Sequence, residues 1–142
     1  MSQELELTFS IIKPDAVKRA LAQEIQTMLE DNGLKIVAQK TMKISKETAE
    51  EFYQEHKERS FFGAMIENIC ADEAIVQVLQ GVNAIKKNRE IMGATNPKEA
   101  VEGTIRKKFG LNIDFNSVHG SDSAASAERE IAIFFKPEEL KA

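Results

Sequence analysis

The sequence predicts one α/β or α+β domain, residues 1–142, with four strands and helices between them. Three observations carry that expectation. Residues 4–11 alternate without a break, Glu4, Glu6, Thr8 and Ser10 against Leu5, Leu7, Phe9 and Ile11, as a strand with one covered face does. Residues 74–80 are apolar at both parities, which suits a central strand. The intervening segments carry apolar residues three and four apart, the spacing of one helix face. A chain of 142 residues can bury roughly two-thirds of its unfolded surface, enough for one core.

Pro14 ends the first strand. Leu21, Ile25, Met28 and Leu29 then recur at helical spacing, and Asn32-Gly33 supplies the stop. Leu34, Ile36, Ala38, Met42 and Ile44 share one parity and predict a long second strand. Ser45 is a good N-cap for a helix carrying Ala49, Phe52, Tyr53 and His56. A short helix begins after Ser60, with Phe61, Met65 and Ile69 on one side. Gly81 closes the strand of residues 74–80, and residues 82–92 read as a helix. Asn96-Pro97-Lys98-Glu99 resembles a helix start, with a cap, a first-position proline and a third-position glutamate. Residues 110–122 follow neither period and predict a long loop. Asp122 or Ser123 caps a helix to about Arg129, and residues 131–135 predict the last strand, ended by Lys136-Pro137. Pattern alone leaves strand order and direction open.

Composition narrows the function classes. Apolar residues at 42% and charged residues at 30% argue for a globular chain and against disorder. Lys plus Arg is 19 and Asp plus Glu is 23, a net charge of −4, so neither a nucleic-acid nor a membrane partner is expected. No apolar run approaches the length of about 18 residues that a transmembrane helix needs. The acidic, polar residues 1–6 do not read as a signal peptide. Cys70 stands alone, which excludes an internal disulfide framework and a cysteine-based zinc site. His56 and His119 are the only histidines, so any histidine-dependent chemistry must use one of them.

The seven glycines, at 33, 63, 81, 93, 103, 110 and 120, form neither a GxxxxGK[ST] loop nor a GxGxxG turn. A bound nucleotide would need another kind of phosphate site. No His-x-Cys or Cys-x-x-Cys set, no GxSxG elbow and no kinase-type catalytic loop is present. What remains is Asn116-Ser117-Val118-His119-Gly120-Ser121-Asp122. Taken alone, such turn-forming residue types are more often a surface loop than a site. Read as chemistry, His119 is an accessible nucleophile or base, and Glu130, at the start of the last strand, could orient its ring by accepting the other N–H. His56, four residues after Phe52, reads as packed or surface. Lys13 shares parity with Phe9 and Ile11 at the strand end, either snorkelling to the rim or facing an anion at a pocket mouth. Arg89 and Arg106, two of five arginines, flank the turn Gly93-Ala94-Thr95-Asn96-Pro97. Singly, each reads as a surface arginine. Together with Lys13 and His119 they would supply the positive field that a polyphosphate needs.

These residues resemble the nucleoside diphosphate kinase family, over about residues 8–140. Asn116-x-x-His119-Gly120-Ser121-Asp122 is similar to the segment around that family's phosphorylated histidine. Ile12-Lys13-Pro14-Asp15, Phe52-Tyr53, Arg59-Ser60-Phe61-Phe62, Arg89 with the Gly93 to Pro97 turn, Gly103-Thr104-Ile105-Arg106 and Ser123 to Glu130 match further blocks in family order. The resemblance implies a ferredoxin-like βαββαβ sandwich, a four-stranded antiparallel sheet covered by helices. It implies ping-pong transfer of the γ-phosphate from a nucleoside triphosphate, typically ATP, to a nucleoside diphosphate. The carrier would be a phosphohistidine on His119, and base selectivity would be low. By the same resemblance Glu130 holds the imidazole and Ser121 supports Glu130. Lys13, Arg89, Thr95 and Arg106 grip the phosphates, with Tyr53 near Lys13. Asn116 and Lys13 reach the ribose hydroxyls, and Phe61 and Ile113 lie on the two faces of the base. Mg2+ is expected to arrive on the nucleotide phosphates with no protein ligand bonded to it, Asp122 standing nearby through water. The family also implies a cytoplasmic homo-oligomer, a tetramer or a hexamer.

Four positions depart from the family pattern. Ser60 stands where the Arg-Pro-Phe-Phe block has proline, and Ala71-Asp72-Glu73 where a Ser-Gly-Pro turn is usual. Gln23 replaces a glycine of the first helix, and Lys108 an acidic residue after Arg106. None removes a catalytic group. Two other classes share part of the pattern. One is an ATP-sensing module on the same fold, which would not need His119. The other is a phosphohistidine carrier that passes its phosphate to a protein.

Overall fold

Strand β1 (Leu5–Ile12) runs through the middle of the sheet, with the other elements arranged on both sides of it. The computed structural model describes residues 5–60, 62–94, 96–110 and 117–140. β1 pairs antiparallel with β3 (Ala74–Val82) on one edge and with β4 (Val118–Gly120) on the other. β2 (Lys35–Met42) pairs antiparallel with β3, so the order is β2-β3-β1-β4. This is the ferredoxin-like, four-stranded antiparallel sheet that the resemblance implies. Two helices, α3 (Lys46–Phe52) and α4 (Phe62–Cys70), are inserted between β2 and β3.

Helices cover both faces. Phe9, Ile11, Val76 and Val78 point to one apolar cluster, shared with Phe52 of α3, Ile66 and Ile69 of α4, and Ile131 and Phe134 of α7 (Ala124–Phe134). Ile12, Leu79 and Val118 point to the other. That second cluster receives Ala16 of α1 (Pro14–Lys18) and Ile25 and Leu29 of α2 (Ala22–Asp31). It also takes Met92 of α5 (Ala84–Met92) and Ile105 of α6 (Ile105–Phe109). Among the described residues, no helix is long and apolar enough to cross a membrane.

The local rules that set these elements are visible in the caps. Ser45 and Ser123 accept from Thr48 N and Ser126 N, and so open α3 and α7. Thr104 does the same for α6 through Lys107 N. The carboxylate of Glu6, from β1, accepts from Ile85 N in the first turn of α5, a distant side chain acting as a cap.

Several sequence expectations are corrected. β1 is covered on both faces: Thr8 and Ser10 are buried as fully as Phe9. Their small hydroxyl side chains fit under helices, and Ser10 accepts from Gln77, which in turn accepts from Gln39. Residues 131–135 are not a strand; α7 continues to Phe134. Its buried residues are Ala127, Glu130, Ile131 and Phe134, an i, i+3, i+4, i+7 face that a run apolar at every position concealed. The fourth strand is instead β4, three residues inside the expected loop, too short to show any period. In β2, the shared parity of Leu34 and Ile36 with Ala38, Met42 and Ile44 is broken by a bulge between Ile36 and Ala38. Leu34 and Ile36 therefore pack in one cluster, and Ala38, Met42 and Ile44 in the other.

Element ends move as well. β3 continues through Gly81 to Val82, and α5 starts only after Asn83. The helix of Phe52 ends there, with Tyr53 at its C-cap and His56 in a separate 3-10 turn, Gln54–His56. Asn96-Pro97 opens only a three-residue 3-10 turn, Pro97–Glu99. Pro14 both ends β1 and begins α1 as its first residue.

α1 closes in a Schellman motif, with Leu21 N bonded to Ala16 O and Ala20 N to Val17 O. The residue in the left-handed position is Ala20, at φ 61°. Its Cβ makes this conformation unfavourable where glycine would be free of penalty. Ala20→Gly is expected to stabilise the fold by about 1 kcal/mol, after allowing for the looser unfolded chain. Thermal unfolding should show a midpoint about 2–4 °C higher; a lower midpoint would refute the strain.

Candidate active site

The site grows from β4 and its flanks. Cross-strand pairing sets His119 opposite Ile11, and Val118 opposite Ile12. Because side chains alternate, Val118 enters the second apolar cluster while His119 faces Phe52 and Tyr53. Gly120 lies against α5, where an added Cβ would overlap the side-chain ends of Asn88 and Met92, which would have to shift. Just before the strand, Ser117 is fully buried at φ 75°. Its carbonyl accepts from Lys13 N at 2.8 Å.

His119 Nε2 lies 3.2 Å from Glu130 Oε1. The same oxygen accepts from Ser121 Oγ at 2.8 Å. Ser121 is tied to β1 in turn, its Oγ accepting from Phe9 N and its own N–H donating to Phe9 O. A carboxylate accepts, so Nε2 carries the proton and the lone pair sits on Nδ1. The imidazole keeps 22% of its side-chain exposure, against 7% for Glu130. The Phe52 ring meets it edge-on at 4.9 Å, and Tyr53 stands at 6.3 Å.

The electrostatics favour a neutral ring. Burial pushes the His119 pKa below its ordinary value. The hydrogen bond and charge of Glu130 oppose that shift, while the charges of Lys13 and Arg106 add to it. At neutral pH the ring is then uncharged. Burial, helped by the Glu130 charge, raises the Tyr53 phenol, which stays protonated.

The structure brings Lys13 and Arg106 within electrostatic reach of His119, and Arg89 within that of Arg106. Arg106 is no surface residue: it is 8% exposed, donating from Nη1 to Gly93 O at 3.1 Å and from Nη2 to Val118 O at 2.7 Å. Burial and then the Arg89 charge lower its pKa to about 10, so it remains a cation at neutral pH. Arg89 is exposed in the last turn of α5. It lines an open groove of about 1030 Å³ with Lys86, Arg106 and the acidic Glu6, Glu90, Glu99 and Asp122. Asp122 is exposed there, its carboxyl held low chiefly by a hydrogen bond to Ser126. Among the described residues no group of three His, Cys, Asp or Glu is placed to hold a metal. Phe61, Thr95, Ile113 and Asn116 lie outside the described residues. Glu130 sits inside helix α7, not at the start of a strand.

Sequence reasoning missed three contributors. Phe52 matched only as part of a block, yet it touches the imidazole. Arg19 pairs with Asp15 four residues before it, a spacing readable in the sequence. Its other bonds, to Phe109 O at 2.7 Å and Ser117 Oγ at 3.3 Å, span 90 and 98 residues and left no local signal. Arg129 donates to the carbonyls of Glu51 and Phe52, again across the fold.

Comparison with known proteins bears on this arrangement. The family model described as nucleoside diphosphate kinase matches residues 6–140. A nucleoside diphosphate kinase of Agrobacterium fabrum is 58% identical over 136 residues, 96% of this chain and 97% of that one. Another, of Novosphingobium aromaticivorans, is 56% identical over 133 residues, 94% of this chain and 95% of its own. Among solved structures, the Aquifex aeolicus nucleoside diphosphate kinase superposes with a TM-score of 0.95 at 36% identity, covering 97% of this chain and all of that one. The Halobacterium salinarum nucleoside diphosphate kinase, solved in complex with CDP, gives 0.95 at 40% identity, covering 98% and 93%.

The His119 ring should titrate below 6.5 when followed by NMR, its signal assigned by loss in His119→Gln. Because its folded pKa lies below the unfolded value, the unfolded chain takes up the proton first as pH falls. The His119 contribution to stability is therefore intact above 6.5 and lost as pH falls through the folded value. Urea midpoints measured at neutral and acidic pH should drop less in His119→Gln than in the parent protein. A ring titrating above 6.5 would overturn this electrostatic account.

Proposed function

The chain belongs to the nucleoside diphosphate kinase family, and from that premise we propose that it works in two half-reactions through a phosphohistidine on His119. In the first, His119 Nδ1 attacks the γ-phosphorus of a nucleoside triphosphate. An N–P bond forms, the bond from that phosphorus to the β,γ-bridging oxygen breaks, and the nucleoside diphosphate leaves. In the second, the terminal phosphate oxygen of another nucleoside diphosphate attacks the phosphohistidine and takes the phosphoryl group, restoring the free ring. The observation that carries this reading is the chain Ser121–Glu130–His119, which leaves Nδ1 of a neutral imidazole as the lone-pair nitrogen.

The remaining roles follow from charge and place. Phosphoryl transfer asks mainly for positioning and for charge stabilisation. Lys13, Arg89 and Arg106 supply cations around the ring and the groove, and Tyr53 supplies a protonated phenol beside it. Arg106 serves twice in this scheme, since two of its N–H groups already hold backbone carbonyls on either side of the site. Thr95 and Asn116 are assigned phosphate and ribose contacts, and Phe61 and Ile113 the base, on the family resemblance alone. A base held by stacking, with few bonds to its edge, gives low base selectivity. Mg2+ would arrive on the nucleotide phosphates and offset part of their charge, and exposed Asp122, its carboxyl held low, would meet the ion's water shell. A cytoplasmic homo-oligomer, tetramer or hexamer, belongs to the same proposal and rests on the family.

Incubation with γ-labelled ATP and Mg2+ should leave an acid-labile, alkali-stable label on the protein. Unlabelled GDP, and equally CDP or UDP, should chase it into the triphosphate. His119→Ala should take up no label; turnover by that variant would sink the mechanism. A label that no diphosphate removes would instead favour transfer to a protein. Arg89→Ala should lower kcat by about 100- to 1,000-fold, the usual loss of one donor aimed at developing charge. Steady-state exchange assays measure it, and a change in KM alone would place Arg89 in binding rather than in the transition state.

A further inference from the structure

Arg129 precedes Glu130 on α7 and has no part in the reaction described above. Its guanidinium reaches across to the end of α3. Nη1 donates to Glu51 O at 3.3 Å and Nη2 to Phe52 O at 3.2 Å. The last carbonyls of a helix lack partners within it, and a cation there also meets the negative end of the helix dipole. The same Nη2 stands 3.9 Å from Glu130 Oε2, an ion-pair distance too long for a hydrogen bond. That is the carboxylate oxygen not used by His119 or Ser121, which both engage Oε1. One guanidinium thus touches the two elements that flank the imidazole. On one side is Phe52, edge-on at 4.9 Å; on the other is Glu130, at 3.2 Å from Nε2.

We propose that Arg129 is a positioning residue for phosphoryl transfer, clamping the end of α3 to α7 so that Phe52 and Glu130 fix the His119 ring between them. The proposal rests on His119 as the phosphate carrier. Its physical basis is geometric: a nucleophile must be held near its attack position, and a small displacement costs rate without weakening substrate binding. Lysine would not replace it fully, because its single ammonium on a flexible stem lacks the rigid fork that sets two nitrogens apart, one on each carbonyl. The charge of Arg129 also bears on Glu130, 3.9 Å away, and through it on the ring. The groups that face His119 are Glu130 from α7, Tyr53 from the end of α3, Lys13 from the end of β1 and Arg106 from α6. Glu130 alone among them carries negative charge, and Arg129 offsets part of it. Removing that offset strengthens the pull of Glu130 on a protonated ring.

Arg129→Met and Arg129→Lys in the full-length protein test this. In Arg129→Met, kcat should fall roughly 10- to 100-fold while KM stays within about twofold. The acid limb of its pH–rate profile, and the NMR titration of His119 without nucleotide, should both move to higher pH. Arg129→Lys should restore the titration and only part of kcat. Parental kcat and titration in Arg129→Met would overturn the proposal. So would a loss of stability with both readouts unchanged, which marks a purely structural tie. If Arg129→Met does not fold, Arg129→Lys decides: reduced kcat at constant KM supports the clamp, and parental kcat refutes it. The two readings fail separately. An unlabelled parent protein would overturn the phosphohistidine, whereas the nucleotide-free titration reports on the ring whether or not it carries phosphate.

Discussion

Three residue pairs between β1 and β4, Ser10 with Gly120, Ile11 with His119 and Ile12 with Val118, hold the imidazole against the body of the protein. A strand this short contributes little by itself, since each backbone hydrogen bond is worth on the order of 1 kcal/mol net. The surroundings make up the difference. Lys13 N binds Ser117 O before the strand, Ser121 pairs with Phe9 after it, and Arg106 binds Val118 O from the side. Asn88 and Met92 press against Gly120 from α5. Everything that orients His119 depends on β4 staying in this register, because a slip of one residue would turn the ring to the opposite face.

The composition of the whole chain says little about this place. The net charge is −4, yet the charges of Lys13 and Arg106 bear on the imidazole, and Arg89 bears on Arg106. Local charge, not the average, decides what a cleft attracts. Lys13 and Arg106 also act on the ring itself: together with burial they favour the unprotonated form against the pull of Glu130. The same charges therefore favour a ring nitrogen with a free lone pair, and Glu130 orients the ring without charging it at neutral pH.

How much was legible in advance differed by element. Caps were readable, because Ser45 and Ser123 bond within three residues of themselves. The four-strand count held, but with the wrong fourth strand. Residues 131–135 are apolar throughout and fit either period; packing of Ile131 and Phe134 under the sheet, in line with Ala127 and Glu130, selects the helix. The bulge in β2 was invisible for a similar reason. It changes no residue type, only the pairing with β3, yet it moves Leu34 and Ile36 to the opposite side of the sheet from Met42 and Ile44.

For the site, the sequence by itself determined the chemistry that was available. It holds two histidines, no cysteine pair and no glycine-rich phosphate loop. Its one histidine segment built of turn-forming, polar residue types sits in a pattern that matches a family block by block. That pointed to His119, Glu130 and Ser121 together, which lie within twelve residues, and the fold bonds them to one another. Only the tertiary structure decided their working relations: that Nε2 faces Glu130 and frees Nδ1, that Arg106 is buried and bonded to the strand, and that Arg129 reaches α3. Those contacts join residues from 11 to 78 positions apart. A linear sequence carries local propensity and hydrophobic period, but hydrogen bonds of such range exist only after the two apolar clusters have brought the elements together.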